Sequence, residues 1–235
     1  MPNLFPPSEP WTPTIDWDSE AGQSILRLIS ALPNKPILLT IYGSAPLQMT
    51  LDNSFLSADV DIAVPYDLGI EMQDAVKSLG LSYGQSKCYI QTTPEGAFRT
   101  SPKWRDRCFT HKIGEIQIRF PHPVDILIGK MNRMEEKDFK AFQLVQSITG
   151  HPSENELIKE LREAVELYSL GHYQEWGRSF RQNTEILWPR IYGRKIDVDQ
   201  EIILPGETTI KNAYKLHETG LKASLKEIGQ QSRRG

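Results

Sequence analysis

The sequence predicts an α+β protein: a mixed sheet flanked by helices, followed by a helical C-terminal region. Three observations carry that expectation. Two short apolar runs, residues 37–42 (ILLTIY) and 59–64 (DVDIAV), have strand length and are separated by a Gly-Ser bend and a short helical crossing. Residues 114–120 (GEIQIRF) alternate apolar and polar, as a half-buried strand does. Apolar stripes at helical spacing stand on both sides of the strands, with Ile25, Leu28, Ile29 and Leu32 before them and Leu157, Leu161 and Val165 after them. The division that follows is a proline-rich arm (1–18), a core domain (19–150) and a helical region (151–235).

The chain has 235 residues, 39% hydrophobic and 24% charged, which is enough apolar material for a sizeable core. Its net charge of −3 excludes a polycation that coats nucleic acid, so any contact with a phosphate backbone rests on local patches. Cys88 and Cys108 lack metal-ligand spacing and suit a reduced, intracellular setting. The N-terminus lacks a basic-then-apolar export pattern, and no apolar run approaches the roughly 18 residues of a membrane span. A cytoplasmic protein is expected.

Residues 1–14 hold five prolines and read as an extended arm, with Trp11 and Trp17 able to pin it down. Asp18 or Ser19 opens a helix to about Leu32, and Pro33-Asn34-Lys35-Pro36 stops it. Residues 66–80 predict a helix with Ile70, Val76 and Leu79 inward and Gly80 closing it. Short extended pieces follow over 81–93. Beyond Pro152, Ser153 caps a helix closed by Gly171. A second helix runs from Tyr173 to about Leu187 and ends before Pro189. Residues 195–205 (KIDVDQEIILP) read as an edge segment, and a last amphipathic helix covers 208–228.

The chemistry concentrates between Leu38 and Pro65. Side chains two apart on a strand leave from one face, so Asp59 and Asp61 point together, their Cα atoms roughly 6–7 Å apart. Carboxylates held that way repel unless a cation sits between them. Mg²⁺ (or Mn²⁺) suits the pair, because it takes one or two protein carboxylates and completes its shell with phosphate and water. Gly43 and Ser44, just before a helix start, offer a phosphate close backbone approach and free N–H groups. The plain alternative is a D-x-D carried as solvated charge on a surface strand. Against it stand the apolar flanks of ADVDIAVP, which argue for burial, where two acids need a partner.

Gly-Ser on a helix entrance, followed by Asp-x-Asp on the next strand, resembles the signature of the DNA polymerase β-like nucleotidyltransferase superfamily. Within it, the chain looks most like the minimal nucleotidyltransferases of toxin–antitoxin and abortive-infection systems. Ser57, two positions before Asp59, matches the hydroxyl residue commonly found there and joins Gly43 and Ser44 as a nucleotide-binding candidate. The resemblance implies a polymerase β-like core that transfers a nucleoside monophosphate from an NTP to an acceptor hydroxyl with Mg²⁺. It also implies a third carboxylate on the strand at 114–120. Glu115 is the only acid there, and Gln117 shares its face.

A second matching stretch covers residues 121–148, with Asp125, Lys130, Arg133, Lys137 and Asp138 as the matching positions. Asp125 follows a proline-valine pair and suits a helix cap. Lys130, amid Leu127, Ile128 and Met131, needs an anionic partner, and a triphosphate or the Asp59/Asp61 pair would serve. If the helix is continuous, Asp138 shares a stripe with Met131, Met134, Phe142 and Val145. It is then either half of a buried Asp–Arg pair or a contributor to the site.

Residues 99–119 carry six Lys/Arg against two acids, with Trp104 and Phe109 among them. Lys103, Arg105 and Arg107 are candidate contacts for RNA or a triphosphate tail. A charged loop kept for solubility reads the same way. The resemblance implies two acceptors, a tRNA or other RNA 3′ end, or a hydroxyl side chain of a cognate toxin or antitoxin protein. The basic stretch favours RNA. A catalytically weak or inactive member of the fold that grips a partner protein is the alternative, supported by Gln117 where an acid is expected.

Overall fold

The structure, a computed structural model, describes residues 11–169 and 178–214. Its middle is a five-stranded mixed sheet in the order β3-β2-β1-β5-β4. The strands are β1 (Ile37–Tyr42), β2 (Asp59–Val64), β3 (Tyr89–Pro94), β4 (Phe109–Ile113) and β5 (Ile116–Phe120). β1 runs antiparallel to β2 and parallel to β5, while β2 runs parallel to β3. The register sets Tyr42 opposite Asp61 and Asp59 opposite Tyr89. Paired residues share a face and successive residues alternate between faces. One face therefore collects Leu39, Ile41, Val60, Ile62, Ile90 and Ile118, and the other collects Tyr42, Asp59, Asp61, Tyr89 and Gln91.

The apolar face is covered by α1 (Glu20–Ala31) and α3 (Gly69–Ser78), which bury Ile25, Leu28, Met72 and Val76 against it. Ser19 opens α1 by accepting a hydrogen bond from the Gly22 N–H at 3.1 Å. Trp11 packs edge-on to His122 at 5.6 Å and Trp17 against Phe120 at 6.3 Å, so both tryptophans hold the described end of the arm. Residues 1–10 lie outside the described residues.

The remaining helices are α2 (Ala45–Thr50), α4 (Pro123–Lys130), α5 (Glu136–Thr149), α6 (Glu154–Glu163), α7 (Glu166–Ser169) and α8 (Phe180–Tyr192). They build a second hydrophobic cluster around Leu127, Phe142, Leu161, Leu187 and Trp188. That cluster joins α4 and α5 to α6 and α8, so the boundary expected at residue 150 runs through shared apolar packing.

Several local expectations are corrected. Residues 66–80 open with a single 3₁₀ turn before α3, and Ile70 faces water while Met72 and Val76, four apart, point inward. α8 continues past Pro189, which falls in its last turn, before Gly193 closes the helix at φ 72°. Residues 195–205 are not an edge strand. A helical segment spans 198–214, and the Asp197 carboxylate opens it by accepting from the Gln200 N–H at 3.1 Å. Val198 and Ile202, four apart, are the buried pair that serves a helix equally well. The expected closing Gly171, the start at Tyr173 and the lysine-rich end beyond 214 lie outside the described residues.

Candidate functional site

The polar face of β2 meets the bend after β1. Gly43 takes φ 76°, a left-handed conformation that side chains resist, and a Cβ added there would collide with the Asp61 carboxylate. Glycine is what lets the acid and the bend touch. Ser44 follows and leads into α2. Asp59 lies two residues back on the same face, where the Tyr89 hydroxyl donates to its Oδ2 at 3.4 Å. The two acids therefore share one face of β2, and Asp61 abuts the Gly-Ser bend.

The surroundings of Asp61 disfavour its charged form. Burial, and then the neighbouring Asp59, push the Asp61 carboxyl up to about 6, against the pull of Lys130, Arg133 and Lys137. Among the described residues no cluster of three or more His, Cys, Asp or Glu side chains forms a closed metal site. A carboxylate pair is nevertheless the protein share that Mg²⁺ takes when phosphate and water supply the rest. The donor set fits that ion.

Lys130, the last residue of α4, is buried, and its Nζ donates to Ser44 Oγ at 2.7 Å and to Asp138 Oδ1 at 3.3 Å. An ammonium only donates, so Ser44 Oγ is the acceptor and its own O–H is left to donate outward. Lys130 thus acts through Ser44 from behind the bend. Asp138 is wholly buried and also accepts from Arg133 Nη2 at 3.0 Å, Arg133 Nε at 3.2 Å and the Glu135 N–H at 2.9 Å. Burial pushes its carboxyl up, but the Arg133 bond, Lys130 and the Glu135 N–H outweigh it and hold the group below the usual range. The Asp–Arg pair and the link to the site are thus one network.

The helix carrying Asp138 is not continuous with that of Lys130. The chain turns over 131–135, with Met134 at φ 55°, and Asp138 sits in the first turn of α5 as half of a capping box with Glu135. Arg178, just before α8, and Asn183, on it, hold that turn: Arg178 Nη2 donates to the Met134 carbonyl at 2.7 Å and Asn183 Nδ2 to the Met131 carbonyl at 2.8 Å. The turn in turn places Arg133 and Lys137 near Asp61. Arg133 and Lys137 match the second stretch, yet their place beside Asp61 was not legible, because it depends on where the chain turns.

Other expected site residues stand elsewhere. Ser57 is buried and its hydroxyl donates to the Asp59 carbonyl at 2.7 Å, so it holds the entry to β2 rather than facing a ligand. Glu115 lies in the turn before β5 and pairs with Lys112 at 3.6 Å. Its neighbour Ile116 sits opposite Ile37, at the far end of β1 from Tyr42 and Asp61, about 16 Å along the strand. Gln117 pairs with Leu38, near that same far end. On the side away from β1, β2 pairs with β3, which sets Gln91 opposite Asp61. Compared with known proteins, the chain matches no family model, no curated sequence and no solved structure.

The basic stretch is also corrected. Arg107 is half-buried and forms a two-pronged pair with Asp125, both bonds 2.7 Å, plus an ion pair with Glu160 at 2.7 Å. Asp125 is therefore the partner of Arg107 and not a helix cap. The cap of α4 is His122, whose Nδ1 accepts from the Val124 N–H at 3.2 Å. Lys103 pairs with Glu163 at 2.9 Å, and Arg105 stacks on Trp104 at 4.6 Å near Glu95. Acids distant in sequence neutralise much of the patch.

Proposed function

We propose that the chain is a Mg²⁺-dependent nucleotidyltransferase with a polymerase β-like core, moving a nucleoside monophosphate from an NTP to an acceptor hydroxyl. The favoured acceptor is an RNA 3′ end such as that of tRNA, and the proposed setting is a cytoplasmic toxin–antitoxin or phage-defence system. The observation that carries this reading is the contact between Asp61 and the Gly43 bend, which sets a half-buried acid against backbone open to a phosphate. When bound, Mg²⁺ supplies positive charge that offsets the paired carboxylates and the phosphates. Asp59 and Asp61 hold it.

The Ser44 hydroxyl, oriented by Lys130, donates to the triphosphate tail, and Arg133 and Lys137 add charge around it. The acceptor oxygen attacks the α-phosphorus in line, pyrophosphate leaves, and the hydroxyl proton passes to the Asp59 carboxylate. Positioning and charge carry most of such a reaction.

One observation favours a second reading. Gln91, not an acid, stands opposite Asp61 on the polar face, which suits a non-catalytic protein that uses the fold to grip a partner. Label transfer from each radiolabelled NTP to total tRNA, with Mg²⁺, separates the two. Transfer that falls about 10²-fold or more in Asp59→Asn and Asp61→Asn supports the enzyme. A tight complex with a co-purified partner and no transfer to any acceptor supports the gripping protein. No Mg²⁺-dependent nucleotide binding sinks the enzyme.

A further inference from the structure

Among the described residues β3 is an edge strand that pairs with β2 alone. A groove of about 370 Å³ runs along that edge between β3 and α3, at the small end of ligand sites and sized for one nucleoside rather than a duplex. Gln73 and Lys77 line it from α3, Tyr83 from the connecting loop, and Tyr89 and Gln91 from the strand. Tyr83 is 81% exposed, and its ring stands edge-on to Tyr89 at 5.1 Å. Tyr89 in turn reaches Asp59 through its hydroxyl. Tyr89 therefore joins the groove, which neither acid lines, to Asp59.

The two acids face different neighbours. Asp61 touches the Gly43 bend, while Asp59 meets the tyrosines. An in-line displacement puts the attacking and leaving oxygens on opposite sides of the phosphorus. With the triphosphate tail on the Asp61 side, the attacking hydroxyl comes from the Asp59 side, where Tyr89 stands between the acid and the groove.

We propose that this groove seats the acceptor, and that its occupant is the terminal nucleoside of a single-stranded RNA 3′ end, its base stacked on Tyr83 and its 3′ hydroxyl directed toward Asp59. The inference rests on the nucleotidyltransferase reading and deepens it. The exposed ring supplies a stacking platform indifferent to base identity, Lys77 faces the backbone phosphate, and the amides of Gln73 and Gln91 offer donors and acceptors to a base edge. An extended peptide pairing with the strand edge would use the backbone and leave Tyr83 idle.

The test measures fluorescence anisotropy of a six-nucleotide single-stranded RNA, labelled at its 5′ end, with the full chain. Calorimetry of Mg²⁺–ATP binding runs in parallel. Tyr83→Ala is expected to weaken RNA binding about tenfold or more and to lower the ratio of RNA to ATP affinity, while Tyr83→Trp restores it. An RNA affinity within twofold of wild type in Tyr83→Ala overturns the proposal. So does weakened ATP binding in its place, which would make the groove the seat of the NTP base, or displacement of the RNA by an extended peptide that binds equally well to Tyr83→Ala. Wild-type chain that binds Mg²⁺–ATP but no RNA sinks this inference alone, whereas failure to bind Mg²⁺–ATP sinks the reading beneath it.

Discussion

Asp61 is held in a form that its surroundings oppose. Its ordinary value of 3.8 is raised to about 6 by burial and by Asp59, so the folded chain keeps a proton there that the unfolded chain releases. The stability gained from that proton is fully present below about pH 4 and is lost as pH rises through about 6. At pH 8 the metal-free carboxylate is ionised and costs the fold at most about 3 kcal/mol, since two units correspond to about 2.7 kcal/mol. Asp61→Asn removes that cost. Thermal unfolding without metal is expected to show the variant melting above wild type at pH 8, with the gap closing by pH 4. Added Mg²⁺ raises the wild-type midpoint at pH 8 and leaves the variant where it was. A variant that melts below wild type at pH 8 would show that Asp61 serves packing rather than a cation. The same residue explains why this part of the site could be read from sequence. A period of two puts both acids on one face, and a glycine before a serine marks the one backbone shape that lets Asp61 approach.

The element holding Arg107 obeys a different logic. Six basic residues within 99–119 look like a nucleic-acid patch because local sequence shows the cations and hides their partners. Asp125 stands on α4 and Glu160 on α6, and the fold brings both onto one guanidinium. Burial pushes the Asp125 carboxyl up to about 6 against the pull of Arg107, and at neutral pH the pair stays ionised. Removing one member strands buried charge, which typically costs about 3–5 kcal/mol. Arg107→Met is therefore expected to lower the denaturation midpoint strongly, while the salt dependence of RNA binding stays as in wild type at temperatures where the variant is folded. A stable variant with a shallower salt slope would return Arg107 to the RNA surface. Glu115 failed for a related reason. Alternation predicts a strand and its faces, but only the register shows that the Glu115 end of β5 lies at the end of β1 remote from Tyr42.

At the scale of the whole molecule, the sheet supplies the acids while the helices supply the charges that face them. Lys130 ends α4, and Arg133 and Lys137 sit around the turn between α4 and α5, which Asn183 of α8 and Arg178 just before it hold in place. Composition changes at Pro152 suggest a separate appendage, and helix stripes alone do not reveal what they pack against. The shared cluster makes α6 and α8 structural supports of the site. Trp188 is the test, since it is fully buried in that cluster and its Nε1 donates to Glu154 Oε1 at 2.6 Å. Trp188→Ala leaves a cavity that costs about 3–5 kcal/mol. If the helices form one cooperative unit, hydrogen exchange of the variant shows lost protection in α4 and α5 as well as in α6 and α8, and Mg²⁺–nucleotide affinity falls although no residue touching the ligand has changed. Protection lost in α6 and α8 alone, with affinity intact, would mean that the helical region stands apart and that the sheet with α4 and α5 holds the site unaided.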